Sequence, residues 1–162
     1  MSERGDRLPW EAPLGAVPHG DGTTTFRVWA PKASRVEVEI GGRREALDEE
    51  LGVFAGRLGA GPGDRYRYVL DGGDPLPDPC ARLQPEGVRG PSEVVDPGSW
   101  AWTDQGWRGL DADALVVYEM HVGTFTPEGT FAAAAARLPA LAELGVTAVE
   151  LMPVATFPGE RG

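Results

Sequence analysis

The chain has 162 residues, with 25 acidic and 15 basic side chains that give a formal net charge of −10 at neutral pH. This length accommodates one sizeable domain, or one small complete domain together with part of a second. The acidic balance argues against nucleic acid and anionic membranes as partners, because binding to either would require a field of Lys and Arg side chains. A neutral ligand or another protein stays open as a partner.

The N-terminus and the cysteine content predict a cytoplasmic protein. Charged side chains at Glu3, Arg4, Asp6 and Arg7 occupy the place where a secretory signal would have its apolar run. No stretch approaches the roughly 18 apolar residues that span a membrane. Cys80 is the single cysteine, which excludes an intramolecular disulfide and a CxxC metal site, so a reducing cytoplasm is the simplest compartment.

The first two thirds of the sequence predict short β-strands joined by tight turns, which is the pattern of a β-sandwich. Apolar and polar residues alternate in four segments: Thr23–Trp29, Arg35–Ile40, Val53–Leu58 and Arg65–Leu70. The Gly41-Gly42 pair after the second segment predicts a turn. Tyr66 and Tyr68 share one face of the fourth segment, because alternate side chains of a strand point to the same side.

Proline or glycine recurs every few residues between Asp74 and Gln105, so no regular period survives there. We expect an irregular segment with one short strand near Val94. An irregular run of this length is expected to pack between two domains. Three tryptophans are expected to supply that packing: Trp100, Trp102 and Trp107.

The last third of the sequence changes pattern. Leu115–Val122 and Val146–Met152 are nearly continuous apolar runs of strand length, which is typical of parallel strands covered on both faces. A helix is predicted between them, and the resulting β-α-β unit is expected to have a right-handed crossover.

The predicted helix has recognisable ends. Thr130 is a suitable N-cap, Gly145 suits the C-terminus, and Pro139 is expected to kink the helix near Ala135. One face is apolar, because apolar residues recur at spacings of three or four: Phe131, Ala134, Leu138, Leu141 and Leu144.

These patterns predict three parts: a β-sandwich over residues 1–95, a linker over residues 96–113, and the opening of an α/β domain over residues 114–162. The last part holds a single β-α-β unit, whereas a closed barrel of such units needs roughly 250 residues. The sequence therefore predicts the N-terminal piece of a longer protein.

Motifs for several reaction classes are missing. No GxxxxGK[ST], GxGxxG or GxSxG pattern is present, which argues against nucleotide binding and esterase chemistry. His19 and His121 lie far apart in sequence, and no metal site is predicted. Glu119 and Glu150 lie within their strands, which favours paired polar residues over a catalytic acid and base. For His121, at the end of its strand, a substrate pocket and a structural role both stay open.

Three phrases of the sequence carry a resemblance to a known family: FRVWAP (Phe26–Pro31), VYEMHVGTFTPEGTF (Val117–Phe131) and LGVTAVELMPVATFPGERG (Leu144–Gly162). Together they resemble the α-amylase superfamily of glycoside hydrolases, and within it the maltooligosyltrehalose trehalohydrolase family. The resemblance implies an all-β immunoglobulin-like sandwich followed by the first βαβ of a (β/α)8 TIM barrel, which is truncated in this sequence.

The resemblance also implies an activity, namely hydrolysis of the α-1,4 bond that joins trehalose to the rest of a maltooligosyltrehalose. The substrate would be an α-glucan or maltooligosyltrehalose, and neither a cofactor nor a metal is implied. The family's retaining mechanism needs two carboxylates about 5 Å apart. They follow barrel strands that this sequence lacks, so no catalytic residue is assigned. A branching or debranching enzyme and a non-catalytic glucan-binding module stay open as alternatives.

The loop Gly123–Gly129 (GTFTPEG) is the candidate substrate-binding segment, because barrel active sites form at the C-terminal ends of the strands. Phe125 is predicted to stack on an apolar sugar face, and His121 is predicted to reach the substrate pocket. Three further side chains are candidates for hydrogen bonds to hydroxyls: Thr124, Thr126 and Glu128. The alternative is that the loop only shapes the turn into the helix, with Phe125 packed beneath it.

Overall fold

The structure is a computed structural model that describes residues 8–159. These residues form two compact units, and each unit is described by itself. Unit 1 comprises residues 8–101 and 156–159, and unit 2 comprises residues 102–155. No helix within the described range is long and apolar enough to cross a lipid bilayer. The part boundaries 1–95, 96–113 and 114–162 stay predictions.

Unit 1 contains two four-stranded antiparallel sheets. In spatial order, the first sheet consists of β1 (Gly15–Pro18), β2 (Thr23–Trp29), β6 (Val53–Gly59) and β5 (Asp48–Glu50). The second sheet consists, again in spatial order, of β4 (Arg43–Ala46), β3 (Val36–Ile40), β7 (Arg65–Leu70) and β8 (Ser92–Glu93).

One hydrophobic core is shared by the two sheets. Phe26 of β2 and Tyr66 of β7 meet edge to face, with ring centroids 4.9 Å apart, and Tyr66 meets Tyr68 with centroids 5.8 Å apart. Further buried side chains come from both sheets: Ala16, Val28, Val36, Val38, Ile40 and Phe54. Burial of this apolar surface is the main stabilising contribution, and unit 1 is a β-sandwich.

The four strands predicted from alternation are confirmed. β2 and β7 have the predicted bounds, β3 begins at Val36, and β6 continues to Gly59. Gly41 and Gly42 form the predicted turn between β3 and β4, with φ angles of 56° and 76° that favour glycine. The short strand predicted near Val94 is confirmed as β8.

Three strands of unit 1 are not predicted by the sequence pattern: β1, β4 and β5. All three lie at sheet edges. Buried Leu47 carries the chain from β4 in the second sheet to β5 in the first, and its backbone N–H donates to the Val36 carbonyl at 2.9 Å. Its side chain fills the space beside Gly56, where a Cβ would lie 2.7 Å from the Leu47 Cδ2 atom.

The segment Asp74–Gln105 is largely irregular, as predicted, but backbone hydrogen bonds fix its first half to unit 1. Leu76 and Tyr68 each donate a backbone N–H to the other's carbonyl at 2.8 Å. The tryptophans predicted to pack at a junction remain exposed, at 69%, 65% and 67%: Trp100, Trp102 and Trp107. The packing between two domains that was expected for them stays a prediction.

Unit 2 contains a pair of parallel strands, β9 (Val117–Met120) and β10 (Ala148–Leu151). Both are shorter than the predicted runs. At the start of β9, Leu115 still belongs to a 3-10 turn, because its N–H donates to the Ala112 carbonyl. At its end, Val122 begins a helical turn. The apolar run before and after β9 is therefore divided among three elements.

Several apolar side chains on or beside these strands are exposed, so the coverage of both faces stays a prediction. Val116 and Val117 are 53% and 52% exposed, and Leu151 is 47% exposed. Met120 is buried at the end of β9. The reason is that two strands and short helices offer too little apolar surface to cover both faces.

Three short helices lie between the parallel strands: α1 (Val122–Phe125), α2 (Phe131–Ala135) and α3 (Leu138–Glu143). The break between α2 and α3 confirms the kink predicted near Ala135, since Pro139 has no N–H to continue the helical ladder. Thr130 is confirmed as an N-cap, because its Oγ1 atom accepts a hydrogen bond from the Ala133 N–H at 3.2 Å. Gly145, with φ of 100°, follows the end of α3.

The predicted apolar face of this helical segment is only partly buried. Ala134 is 5% exposed, whereas Phe131 and Leu144 are 58% and 77% exposed. The spacing of apolar residues correctly indicated helix, but their burial needs a partner surface that the described part of unit 2 does not supply.

Candidate functional site

The candidate site begins where β9 ends. His121 is the N-cap residue of α1, and its carbonyl accepts hydrogen bonds from the backbone N–H groups of Thr124 and Phe125, both at 3.0 Å. The segment predicted as the loop Gly123–Gly129 therefore begins with a helical turn, which corrects the loop prediction. The turn places the side chains of His121, Thr124 and Phe125 close to the C-terminal end of β9.

Phe125 is half-buried against the strand that precedes it. Its ring meets that of Tyr118 edge to face, with centroids 5.9 Å apart and an interplanar angle of 63°. This contact accounts for part of the side chain, and the rest of the ring remains accessible. The arrangement is compatible with both interpretations from the sequence, because Phe125 packs on Tyr118 and is still partly exposed.

The second half of the segment folds back onto α1. Gly129 has φ of 62°, and a Cβ added there would lie 3.0 Å from the Gly123 carbonyl oxygen. Thr126 is buried, and its Oγ1 atom accepts a hydrogen bond from the Gly129 N–H at 3.3 Å. Thr126 thus closes the turn, whereas Thr124 and Glu128 are exposed. Of the three predicted hydroxyl-binding candidates, only these two are accessible.

The two strand carboxylates lie side by side. Glu119 and Glu150 are register partners in the parallel pair, and both are exposed. Within residues 8–159, no group of three or more His, Cys, Asp or Glu residues is arranged to hold a metal ion. This placement agrees with paired polar residues on neighbouring strands. A catalytic acid and base differ in their surroundings, whereas both of these carboxylates are exposed.

Sequence reasoning missed a buried polar cluster in unit 1, centred on Asp78. The Tyr66 hydroxyl donates to Asp78 Oδ2 at 2.6 Å, and the Cys80 backbone N–H donates to Asp78 Oδ1 at 2.7 Å. The Asp78 backbone N–H donates to Ser92 Oγ at 2.9 Å. Gly15 lies against the same segment, where a Cβ would be 2.9 Å from the Cys80 carbonyl oxygen.

The electrostatics of this cluster follow from burial. Desolvation raises the pKa of Asp78 above its ordinary value, and the hydrogen bond from Tyr66 partly offsets that rise. Burial also raises the pKa of Tyr66, and the adjacent Asp78 carboxylate raises it further. Asp78 is 2% exposed and has no access to a ligand. The cluster therefore holds the segment after β7 against the sandwich.

Comparison with curated proteins identifies relatives of the whole segment. The chain is 50% identical over 151 residues to malto-oligosyltrehalose trehalohydrolase from Deinococcus radiodurans, a match that covers 92% of the chain and 25% of the enzyme. It is 44% identical over 140 residues to the enzyme of that name from Saccharolobus solfataricus, covering 85% of the chain and 25% of the enzyme. The chain is a homologue of these trehalohydrolases over that stretch. It spans about a quarter of their length.

Further comparisons found a branching enzyme and solved structures similar to the chain. A branching enzyme from Xanthomonas oryzae is 39% identical over 186 residues, which covers 98% of the chain and 25% of that enzyme. No protein-family model matches the chain. Among solved structures, a Salmonella typhimurium protein assigned as an alpha amylase is 48% identical with a TM-score of 0.86, covering 92% of the chain and 26% of that protein. A group B Streptococcus pullulanase, 24% identical with a TM-score of 0.71, shares the fold over 93% of the chain and 25% of its own length.

Proposed function

We propose that the chain is the N-terminal part of a glycoside hydrolase that releases trehalose from maltooligosyltrehalose. The bond cleaved is the α-1,4 bond next to the trehalose unit. The observation that carries this proposal is the 50% identity to the Deinococcus radiodurans trehalohydrolase across 92% of the chain. The single cysteine, Cys80, is a free and exposed thiol, which supports a reducing compartment, and we propose the cytoplasm.

Three structural assignments belong to this proposal. Residues 1–95 form an immunoglobulin-like sandwich, residues 96–113 form a linker, and residues 114–162 begin a (β/α)8 barrel. Support for the barrel comes from the parallel pairing of β9 and β10 around intervening helices. Exposed apolar residues on or next to these strands supply the surface that further barrel elements would cover: Val116, Val117 and Leu151.

The substrate contact is assigned to the segment after β9. Phe125, which is partly exposed, is assigned to stacking on a sugar, and His121, also partly exposed, is assigned to a hydrogen bond with a hydroxyl. Both residues come from the C-terminal end of a parallel strand, the side on which barrel enzymes bind their substrates. The two catalytic carboxylates, about 5 Å apart in a retaining enzyme, are assigned to later barrel strands, because Glu119 and Glu150 are exposed register partners within their strands.

The test of the proposed function compares two proteins. One is the 162-residue chain, and the other carries this chain followed by the remaining barrel strands. We expect the longer protein to release trehalose from maltooligosyltrehalose, and we expect the 162-residue chain to release none, because binding without the two carboxylates does not lower the barrier to cleavage. Trehalose release by the 162-residue chain, or none by the longer protein, would contradict the proposal.

A second candidate function, glucan branching, is favoured by the match to the Xanthomonas oryzae branching enzyme. The same longer protein tests it when amylose is supplied and new α-1,6 branch points are counted. Branch formation without trehalose release would replace the proposed function with this second candidate.

Phe125 allows a matched test of the substrate contact. In the longer protein, Phe125→Ala is expected to lower kcat/KM for maltooligosyltrehalose on the order of tenfold, equivalent to about 1.4 kcal/mol. The control is Trp29→Ala, which removes an aromatic side chain from a 62% exposed position on β2 in unit 1. Both proteins are assayed well below their melting temperatures, since Phe125→Ala also removes the contact with Tyr118. Equal kinetics for the two variants would assign Phe125 to packing.

A further inference from the structure

The orientation of the His121 ring is set by two neighbours within α1. The first is Gly123, where a Cβ would lie 3.0 Å from His121 Cε1 and 3.5 Å from His121 Nδ1. The ring therefore lies over a position that carries no side chain. The second neighbour is Thr124, whose Oγ1 atom is 3.2 Å from His121 Nδ1. Gly123 thus leaves room for the ring in this placement, and Thr124 engages one of its nitrogens there.

The hydrogen bonds around His121 bear on which ring nitrogen carries the proton. The Thr124 hydroxyl has one hydrogen and two acceptors within reach, His121 Nδ1 at 3.2 Å and the His121 carbonyl oxygen at 3.4 Å. That carbonyl already accepts hydrogen bonds from the backbone N–H groups of Thr124 and Phe125, which use both of its lone pairs. Of these two acceptors, Nδ1 is the nearer, and it has a free lone pair when the ring proton is on Nε2.

We propose that Thr124 is a positioning residue that holds neutral His121 in the Nε2–H form, so that Nε2 donates a hydrogen bond to a hydroxyl oxygen of an α-glucan. A threonine hydroxyl that donates to Nδ1 leaves the ring proton on Nε2. The role of Gly123 is to leave room for the ring in this orientation. The substrate half of the proposal rests on the proposed function, whereas the tautomer half concerns the 162-residue chain alone.

The other histidine of the chain provides an internal comparison. His19 Nε2 lies 2.7 Å from Thr25 Oγ1 in unit 1, so it also has a threonine partner. Here the threonine contacts the opposite ring nitrogen. Replacing Thr25 by Val removes a histidine–threonine contact of the same kind without touching α1, which makes Thr25→Val the matched control for Thr124→Val.

The tautomer is measured by nuclear magnetic resonance near pH 8, above the ordinary pKa of an imidazole, on the 162-residue chain labelled with 15N in histidine. Two-bond couplings between ring hydrogens and nitrogens report which nitrogen is protonated, and His19→Gln assigns the two sets of signals. We expect His121 to show a protonated Nε2 and a bare Nδ1 that accepts a hydrogen bond. A protonated Nδ1 on His121 would overturn the proposal.

Two variants test whether Thr124 causes this state. Thr124→Val is expected to remove the hydrogen-bonded signature of Nδ1, and Thr124→Ser is expected to restore it. Thr25→Val is expected to change only the His19 signals. A His121 spectrum unaffected by Thr124→Val would contradict the role of Thr124. Gly123→Ala gives a second, independent perturbation. Its Cβ would lie 3.0 Å from His121 Cε1, so the ring has to shift away from it, while alanine itself favours the helical turn.

An activity measurement separates this proposal from the proposed function. In the longer protein, Thr124→Val is expected to raise KM for maltooligosyltrehalose about fivefold with kcat changed less than about twofold, and Thr124→Ser is expected to restore KM. An unchanged KM would remove the substrate contact from the proposal, even with the predicted tautomer present. If the unmutated longer protein released no trehalose, the proposed function would be wrong. The tautomer proposal would still be decided by the spectra of the 162-residue chain.

Discussion

Replacing tyrosine by phenylalanine is expected to have different effects on stability at two positions of the same strand face. Tyr66 and Tyr68 are each 1% exposed, but only the Tyr66 hydroxyl has a hydrogen-bond partner, Asp78 Oδ2 at 2.6 Å. The Tyr68 hydroxyl is buried and has no partner among the described residues. We expect Tyr66→Phe to destabilise the chain and Tyr68→Phe to leave its stability unchanged or to raise it.

The magnitude follows from the groups that each substitution leaves behind. A hydrogen bond to a charged group contributes about 1.5–3 kcal/mol, and Tyr66→Phe keeps the ring contact with Phe26 while it removes that bond. We therefore expect a loss of about 2 kcal/mol in the free energy of unfolding at pH 7. Tyr68→Phe removes a hydroxyl that was desolvated without compensation, so its expected change is between zero and a gain of about 1 kcal/mol.

The pH dependence provides an independent check of the cause. Burial raises the pKa of Asp78 above its ordinary 3.8, so stability is favoured when the carboxyl is protonated and falls as pH rises through the raised pKa. The Tyr66 hydrogen bond lowers that pKa. Tyr66→Phe therefore raises it further, and the loss of stability from this substitution is expected to be larger at pH 7 than near pH 3.

The assay is urea unfolding of the 162-residue chain at several pH values, followed by circular dichroism. The two variants are compared with the unmutated chain at each pH, and equal slopes against urea confirm that the substitutions act on stability. Equal losses for Tyr66→Phe and Tyr68→Phe, or a Tyr66→Phe loss independent of pH, would refute the assigned role of the Asp78 hydrogen bond.

Two further predictions concern the sandwich and the unit boundary. Gly15→Ala is expected to lower the free energy of unfolding by about 2 kcal/mol, because Gly15 has φ of 89° and a Cβ there would lie 2.9 Å from the Cys80 carbonyl oxygen. The control is Gly20→Ala, since Gly20 has φ of 75° but a Cβ there would meet nothing within 4 Å. Thermal melts should show a clearly smaller loss of stability for Gly20→Ala, and equal losses would exclude the Cys80 contact as the cause. Limited proteolysis is expected to cut first between Trp102 and Leu115, because every residue there is exposed and no strand forms. Mass spectrometry should then detect an N-terminal core fragment, and uniform resistance to cleavage through Gly159 would contradict the prediction.

Strand position within each sheet explains which parts of the fold were predictable. Each central strand, β2, β3, β6 and β7, places side chains in the core, and the alternation in Val36–Ile40 reflects that burial. By contrast β4 (RREA) and β5 (DEE) are exposed edge strands. No core contact selects an alternating pattern there, so these strands exist only because each pairs with a neighbour.

The candidate site was only partly predictable for a different reason. Val122–Phe125 is four residues long, which is too short for helical periodicity to be detected, and its β-branched Val122 and Thr124 favour a strand. Positions of His121 and Phe125 near the end of β9 followed from the strand prediction. The hydrogen bond between Thr124 and His121 did not, because it depends on the helical turn.

The Asp78 cluster was not predictable from local sequence at all. Asp78 lies in a proline-rich stretch, PLPDPC, with no period that signals burial. Its partners come from β7 and from Ser92, and Gly15 approaches from β1, which is far away in sequence. A buried carboxylate of this kind is a product of tertiary folding, and only the assembled sandwich shows it.

The passage of the chain through Leu47 has a consequence for solubility. Six of the eight residues from Arg43 to Glu50 are charged, and they form two edge strands joined directly at that buried leucine. A second copy that paired along β5 would bring three carboxylates against three carboxylates, which repel at low ionic strength. The β5 edge is therefore expected to resist pairing with a second copy, and this resistance weakens as added salt screens the repulsion.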